Sequence, residues 1–178
     1  MGVGRSASPP TRHRGLDWSL GRAAALCLAG VTEGLRQRSP QRALGAAYPL
    51  IGLGPGATPS GDDLLVGLTA GLAATRHPLA GSFAAGVARD AEGMTTSIAA
   101  AYLAHAGQLE FSERLQRAAL AVLTAREPDL RIAIIGALAW GASSGADMMV
   151  GLLVGIQADA PWLRPRLLAC ADDGTVAA

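Results

Sequence analysis

Apolar residues recur at helical spacing along most of the chain, and short runs of Pro, Gly, Ser and Thr separate the apolar segments. No segment shows the alternation of β-branched and polar residues that is typical of a strand. A polar residue followed by proline marks helix starts at Ser39-Pro40 and Thr58-Pro59. The pattern predicts helices over residues 16–38, 40–48, 59–74, 78–90, 95–106, 112–125, 128–140, 144–156 and 161–171.

The composition predicts a core made of small and aliphatic side chains. Half of the residues are hydrophobic, but only 4% are aromatic. We therefore expect an all-α fold, a compact helical bundle rich in Ala and Gly, that forms a single domain over residues 16–178. Residues 1–15 are rich in Arg, Pro and Ser, and we expect them to form a disordered tail.

Charge and cysteine content exclude several classes of function. The net charge is +1 and no basic stripe is interleaved with aromatic residues, so nucleic-acid binding is not expected. The longest nearly uncharged stretch, residues 132–158, is interrupted by Gly, Ser and Asp147 and does not suit a membrane-spanning helix. Cys27 and Cys170 fit no metal or redox spacing, and residues 1–15 lack the pattern of a secretory signal. A cytoplasmic location is therefore expected.

Two segments of the chain are related by an internal repeat. Residues 60–71, Ser-Gly-Asp-Asp-Leu-Leu-Val-Gly-Leu-Thr-Ala-Gly, align without gaps on residues 144–155, Ser-Gly-Ala-Asp-Met-Met-Val-Gly-Leu-Leu-Val-Gly. Seven of the twelve positions are identical. The identities at the polar start pair Ser60 with Ser144, Gly61 with Gly145, and Asp63 with Asp147.

Glycines at every fourth position after each aspartate form a groove on one helix face, as Gly67 and Gly71 do after Asp63. A glycine inside a helix costs about 1 kcal/mol relative to alanine, and close helix packing can compensate for that cost. We expect the two repeat helices to pack through these grooves, with Asp63 and Asp147 meeting at one end of the bundle. The alternative is that each aspartate only favours the helix dipole and that each repeat serine is only an N-cap.

The segment Gly-Leu-Gly-Pro-Gly-Ala-Thr-Pro-Ser-Gly-Asp-Asp, residues 52–63, predicts a loop that binds a small polar ligand. Glycines allow positive φ and close approach of the backbone, and successive N–H groups before a helix can bind an anion. The segment is neither a Walker A loop nor a Rossmann fingerprint. The candidate ligand-binding residues of the two repeats are Gly54, Gly56, Thr58, Ser60, Gly61, Asp62, Asp63, Ser144, Gly145 and Asp147.

Asp62 and Asp63 would repel an anion unless another group compensates their charge. They could hold Mg²⁺ that bridges to a phosphate. They could also accept hydrogen bonds from an amide or carbamoyl NH₂ group, or bind an Arg of the same chain or of a partner subunit. We favour the amide, because backbone N–H groups can then bind the anionic end of the same ligand. This interpretation requires no cofactor. If a cofactor is bound, Mg²⁺ is the one that the two carboxylates would suit.

A further cluster of hydroxyl groups, Thr95, Thr96 and Ser97, precedes an alanine-rich helix that carries Tyr102 and His105. The simpler interpretation is an N-cap, and the functional one is that these hydroxyls also bind the ligand. His105 is more readily explained as a structural residue than as a catalytic one. The spacing yields no Ser-His-Asp set and no metal-binding cluster, so no catalytic residue is predicted.

The three motifs together resemble a bacterial family that was long described as a domain of unknown function. That family is now associated with the AllH-like subunit of oxamate carbamoyltransferase. The resemblance spans residues 45–156 and is most specific in the first motif. Its motifs are residues 52–67, Thr95-Thr96-Ser97 with Tyr102-Leu103, and Ser143-Ser-Gly-Ala-Asp147 with Gly151.

The resemblance implies a role in purine (allantoin) nitrogen metabolism. The family's complex transfers a carbamoyl group between oxalurate and phosphate, giving oxamate and carbamoyl phosphate, and it needs other subunits. Carbamoyl phosphate and oxamate both join an anionic end to an amide NH₂ group, which suits backbone donors and aspartates. The Ser-x-Arg-Thr phosphate motif of ordinary carbamoyltransferases is absent and no Arg lies within the three motifs, so catalysis is expected to need the other subunits.

Two other functions compete with that of a carbamoyltransferase subunit. One is a non-catalytic module that binds a small anion. The other is a structural partner subunit whose loop docks an Arg or Lys of another protein. Composition does not separate the three.

Overall fold

The computed structural model describes residues 18–124 and 127–159. Within these ranges the elements are helical and no strand is present, so the predicted all-α class is confirmed. The expected tail over residues 1–15, the predicted helix over residues 161–171 and Cys170 lie outside the described residues. The helices are α1 (Trp18–Arg36), α2 (Pro40–Ala47), α3 (Ser60–Ala74), α4 (Ala80–Asp90), α5 (Ser97–Gly107), α6 (Glu113–Thr124), α7 (Glu127–Leu138) and α8 (Ser144–Asp159), with a 3₁₀ turn at Tyr48–Leu50.

The cap-then-proline signal is right at one helix start and wrong at another. Ser39 caps α2, and its side chain accepts a hydrogen bond from the N–H of Arg42. By contrast, α3 begins at Ser60 after Pro59 and has no side-chain cap. The hydroxyl of Thr58 does not cap α3, because it hydrogen bonds to Ser144 Oγ at 2.9 Å and so connects two helices.

The centre of the fold is α3, in which every residue from Gly61 to Leu72 is buried. Its apolar residues surround the helix axis, and such a helix must be covered on all sides. It contacts α4, α5, α6 and α8. The buried core consists mainly of Leu, Ala and Val, and Phe83 is the one aromatic residue among its described members.

The most extensive helix pair of the described fold joins α3 to α8, which run parallel. Their backbones touch at the repeat glycines. A Cβ atom on Gly67 would lie 1.9 Å from the carbonyl oxygen of Met148, and one on Gly151 would lie 2.0 Å from that of Leu64. The next pair of repeat glycines is crowded in the same way. The predicted packing through glycine grooves is confirmed, and such contacts also permit Cα–H···O interactions.

The two repeats are arranged as if by a two-fold rotation about an axis between α3 and α8. Gly67 contacts Met148, and its counterpart Gly151 contacts Leu64, which is the counterpart of Met148. The rotation that relates α3 to α8 also relates α1 to α6, because α1 contacts α8 and α6 contacts α3. The units α1–α2–α3 and α6–α7–α8 therefore form a pseudo-symmetric pair, with α4 and α5 inserted between them in sequence.

None of the described helices is both long and apolar enough to cross a membrane. The uncharged stretch over residues 132–158 is divided between α7 and α8 by a turn that contains Gly141. This division follows the Gly and Ser residues that interrupt the stretch in the sequence.

Candidate ligand-binding site

The first glycine of each repeat helix packs against an equivalent turn in the segment that precedes the helix. The N–H of Gly61 donates to the carbonyl of Leu53 over 2.8 Å, and the N–H of Gly145 donates to the carbonyl of Trp140 over 2.9 Å. A Cβ atom on these two glycines would lie 1.9 Å and 1.8 Å, respectively, from another carbonyl oxygen of the preceding segment. The structural repeat therefore extends upstream of the sequence identity, and it requires glycine at both helix starts.

The glycine loop, residues 51–59, precedes α3 and is longer than its counterpart before α8. Gly52, Gly54 and Gly56 have φ angles of 71°, 114° and 106°, as expected for glycines that shape a loop. The equivalent of Gly54 is Gly141, which also has a positive φ, of 66°. Each of these two glycines lies against the serine that begins the following helix.

Asp63 and Asp147 meet at one end of the bundle, as the repeat predicts. Burial is the largest cause that raises the pKa of Asp63, and the nearby negative charge of Asp147 raises this pKa further. The hydroxyls of Ser144 and Thr58, which hydrogen bond to each other, act in the opposite direction. The start of α8 therefore contributes directly to the surroundings of a carboxylate on α3.

Two carboxylate oxygens of this site are buried without a hydrogen-bond partner among the described residues, Asp63 Oδ2 and Asp147 Oδ2. The side chain of Asp63 is 1% exposed. Burial is the main reason why the pKa of Asp63 rises from 3.8 to about 6. An ionised carboxylate in such a place is costly unless it gains a donor, so Asp63 favours a proton, a cation or an N–H group at its unpartnered oxygen.

Asp62 differs from Asp63 because both of its oxygens are occupied. Oδ1 accepts from the N–H of Gly52 at 3.0 Å, and Oδ2 accepts from the hydroxyl of Thr95 at 2.5 Å. Burial raises the pKa of Asp62, and these two hydrogen bonds oppose the rise. Its contacts tie the start of the glycine loop to the segment before α5. Ligand binding by Asp62 and Thr95 stays a prediction, since their observed contacts are internal.

Thr96 is the N-cap of α5, and its hydroxyl accepts from the N–H of Ala99 at 3.1 Å. The same hydroxyl donates to the carbonyl of Ala57 in the glycine loop. The simpler interpretation of this cluster, an N-cap, is therefore confirmed for Thr96. Ser97 is exposed at the first position of α5, and a contact of Ser97 or Thr96 with ligand stays a prediction.

The middle of the glycine loop presents backbone donors that the described residues leave unused. Within the two described ranges, the N–H groups of Gly54, Gly56, Ala57 and Thr58 make no hydrogen bond to the protein. They lie beside the N-terminus of α3, whose dipole adds partial positive charge. Unused N–H groups before a helix suit an anion, and anion binding by this loop stays a prediction.

Comparison with known proteins identifies the family. The family model described as "Oxamate carbamoyltransferase subunit AllH" matches residues 50–156, more than half of the chain. The chain belongs to the AllH family. The part matched by the AllH family model includes the glycine loop and the starts of both repeat helices. The loop and these two helix starts are here called the paired site. No curated protein and no solved structure matches the chain.

A metal site of the usual kind is absent from the described residues of this AllH family chain. They contain no group of three or more His, Cys, Asp and Glu side chains that could hold a metal ion. Mg²⁺ can be held by as few as one or two carboxylates when water and phosphate complete its shell. Asp63 and Asp147 could supply those two, so Mg²⁺ binding stays a prediction.

Sequence reasoning missed a pocket of about 320 Å³ that lies within the region matched by the AllH family model. On α3 it is lined by Val66, one turn after Asp63, and on α8 by Met148, the residue after Asp147. Its lining also includes the side chain of Trp140, which the sequence marks only as a helix end. The sequence signal for this pocket is composition, because aromatic residues are scarce in this chain and three of them line the pocket. The full lining is Val66, Tyr102, His105, Glu110, Phe111, Ser112, Leu115, Trp140 and Met148.

A larger groove of about 650 Å³ lies between α6 and α7 and contains none of the predicted site residues. Leu120 and Ile132 line it and are 63% and 71% exposed. The predicted site residues therefore do not line this groove.

Proposed function

We propose that the chain is a subunit of an oxamate carbamoyltransferase-like complex and that the paired starts of α3 and α8 bind its small anionic amide ligand. The reaction moves a carbamoyl group between oxalurate and phosphate, giving oxamate and carbamoyl phosphate. The observation that carries the proposal is the pair of buried, unpartnered oxygens, Asp63 Oδ2 and Asp147 Oδ2. Membership of the AllH family, described as an oxamate carbamoyltransferase subunit, supports this choice of reaction.

The geometry suits a ligand with two chemically different ends. An amide NH₂ group has two N–H donors, and one can go to each unpartnered carboxylate oxygen. The anionic end then lies toward the unused N–H groups of Gly54, Gly56 and Ala57, where the helix dipole also favours negative charge. A bare phosphate would satisfy only the loop and would leave the carboxylates unpaired.

The proposed complex needs other subunits for chemistry. The described residues that form the paired site include no Arg, and the chain contains no Lys. Carbamoyl transfer to phosphate develops charge that such cations commonly stabilise. We therefore assign this chain the binding and orientation of the amide, and we assign cationic groups at the phosphate to a partner subunit. The same proposal places the chain in the cytoplasm and in purine (allantoin) nitrogen metabolism.

Thermal stabilisation of the full chain tests ligand binding. Oxamate, carbamoyl phosphate, inorganic phosphate and Mg²⁺ are added separately at neutral pH. Oxamate or carbamoyl phosphate should raise the Tm, since a ligand at 100 times its Kd adds about 2.7 kcal/mol of stability. Asp63→Asn should abolish the rise. Asp129→Asn is the matched control, because Asp129 is also a first-turn aspartate, on α7, but is exposed and outside the site.

Co-expression with the neighbouring subunits separates the competing functions. Carbamoyl transfer by the complex that is lost in Asp63→Asn, with assembly intact, supports the proposal. Stabilisation by phosphate alone without transfer would favour a binding module. No response to any compound, with assembly retained, would favour a structural partner subunit. Full activity of the Asp63→Asn complex would exclude Asp63 from the site's function.

A further inference from the structure

The pocket lined by Tyr102, Phe111 and Trp140, here called the aromatic pocket, is separate from the groups used by the proposed carbamoyl chemistry. It lies between α5, the segment before α6, and the α3–α8 pair. Its volume of about 320 Å³ is at the lower end of the range for small-molecule sites, roughly 300–1,000 Å³. It is therefore large enough for a compound with one or two rings.

The aromatic pocket concentrates a residue type that the rest of the fold hardly uses. The chain has three Trp, two Tyr and two Phe, and one residue of each kind lines this pocket. Tyr102 is 39% exposed, so its ring is not required to fill the core. Tyr102 and Trp140 meet edge to face, with ring centroids 6.3 Å apart and planes at 90°. This arrangement presents an aromatic wall to the pocket.

The remaining lining divides into an apolar part and a polar edge. Leu115 and Met148 are buried and apolar. At the edge, His105 Nδ1 lies 2.9 Å from Glu110 Oε2, and both side chains are well exposed. The lining contains no Arg, and the negative charge of Glu110 offsets any positive charge on His105. The aromatic pocket is thus suited to an uncharged ligand, unlike the anion-binding loop.

We propose that the aromatic pocket binds a neutral, planar, nitrogen-containing ring of about the size of a nucleobase. One face of the ligand stacks on Tyr102, its rim meets the perpendicular ring of Trp140, and its hydrogen-bonding edge lies toward His105 and Glu110. Stacking on aromatic side chains is tolerant of the exact ring, so the structure specifies this class and not one compound. The proposal does not depend on carbamoyl transfer.

Ligand-observed NMR on the full chain tests the proposal with adenine, uracil and nicotinamide as probes. Cyclohexanecarboxamide, which is not planar, and benzoate, which is charged, are the control compounds. At least one probe should show saturation transfer and both control compounds should show none. Tyr102→Leu keeps an apolar side chain but removes the ring, and it should weaken probe binding about tenfold, as expected for the loss of one stacking partner.

Three further variants complete the test. Tyr102→Phe keeps the ring and should bind as the wild type does. Tyr48→Leu removes another exposed tyrosine, outside the pocket, and should also leave binding unchanged. Phe111→Leu should weaken binding and replaces Tyr102→Leu if circular dichroism shows that variant to be unfolded. The proposal is wrong if no probe binds, if either control compound binds as well as the probes do, or if folded ring-removing variants bind as tightly as Tyr48→Leu.

Discussion

Asp63 and Asp147 lie together at the starts of two parallel helices, and each has one buried carboxylate oxygen without a partner among the described residues. The two groups repel each other when both are ionised, and burial adds to the cost. A proton on Asp63 relieves this cost at low pH, and a ligand N–H group would relieve it at neutral pH. The free energy of unfolding should therefore depend, through this pair, on both pH and bound ligand.

Replacing Asp63 by Asn should remove a pH-dependent loss of stability. The pKa of Asp63 is raised from 3.8 to about 6, so the folded state binds this proton more tightly than the unfolded state. The proton bound to Asp63 stabilises the folded state fully below about pH 4. This stabilisation is lost as the pH rises through about 6, by at most roughly 3 kcal/mol. Urea denaturation across this range should show the wild type losing stability relative to Asp63→Asn. Parallel stability curves would contradict the raised pKa.

Two neighbouring substitutions should move the pKa of Asp63 in opposite directions. Asp147→Asn removes a like charge and should lower it, whereas Ser144→Ala removes a hydrogen bond to the ionised form and should raise it. The carboxyl carbon of Asp63 can be followed by NMR during a pH titration. Asp129→Asn, far from the pair, should leave the midpoint unchanged. A shift of the same sign in both variants would show that the substitutions act by rearranging the site.

Gly151→Ala should be strongly destabilising, although alanine is the better helix former. Its Cβ atom would lie 2.0 Å from the carbonyl oxygen of Leu64, so α3 and α8 would have to separate. We expect a loss of about 3 kcal/mol or more in the free energy of unfolding. Gly136→Ala is the matched control, because Gly136 is inside α7 and has no atom within 4 Å of the added Cβ position.

The control should gain up to about 1 kcal/mol, the difference in helix propensity. Chemical denaturation of both variants measures the two effects. Equal stability of Gly151→Ala and Gly136→Ala would exclude backbone contact at the α3–α8 interface.

Asp62→Ala should loosen the glycine loop. It removes the acceptor for both the Gly52 N–H and the Thr95 hydroxyl, and we expect a loss of about 1–3 kcal/mol. Thr95→Val should have a smaller effect, and the two losses should not add, because they break the same hydrogen bond. Thermal denaturation and limited proteolysis within residues 51–59 measure the change. Additive losses would show that Asp62 and Thr95 act independently.

The contact between α3 and α8 was predictable from sequence because it follows from spacing. Glycines at every fourth position form a groove whatever the rest of the fold does, and the repeat gives each groove a partner. The meeting of Asp63 and Asp147 follows from the same alignment. The all-α class was predictable for a related reason, since helical periodicity is a local property.

Contacts between segments distant in sequence were not predictable. Thr58 has the local pattern of a helix cap, but its hydroxyl contacts Ser144, which only the folded chain brings near. Asp62 and Asp63 are adjacent and chemically identical, yet one has both oxygens occupied and the other does not. That difference depends on where Gly52 and Thr95 lie. The aromatic pocket likewise joins residues from several helices and has no local signature.

The pseudo-symmetric pair carries loops of unequal length. Residues 54–59 lead into α3, whereas only residues 141–143 separate the corresponding turn from α8. A small amide held between two equivalent aspartates could otherwise bind in either of two orientations. Here the longer glycine loop lies on the α3 side alone, so the two orientations would not be equivalent. In the proposed site, this departure from symmetry would therefore favour one orientation of the bound molecule over the other.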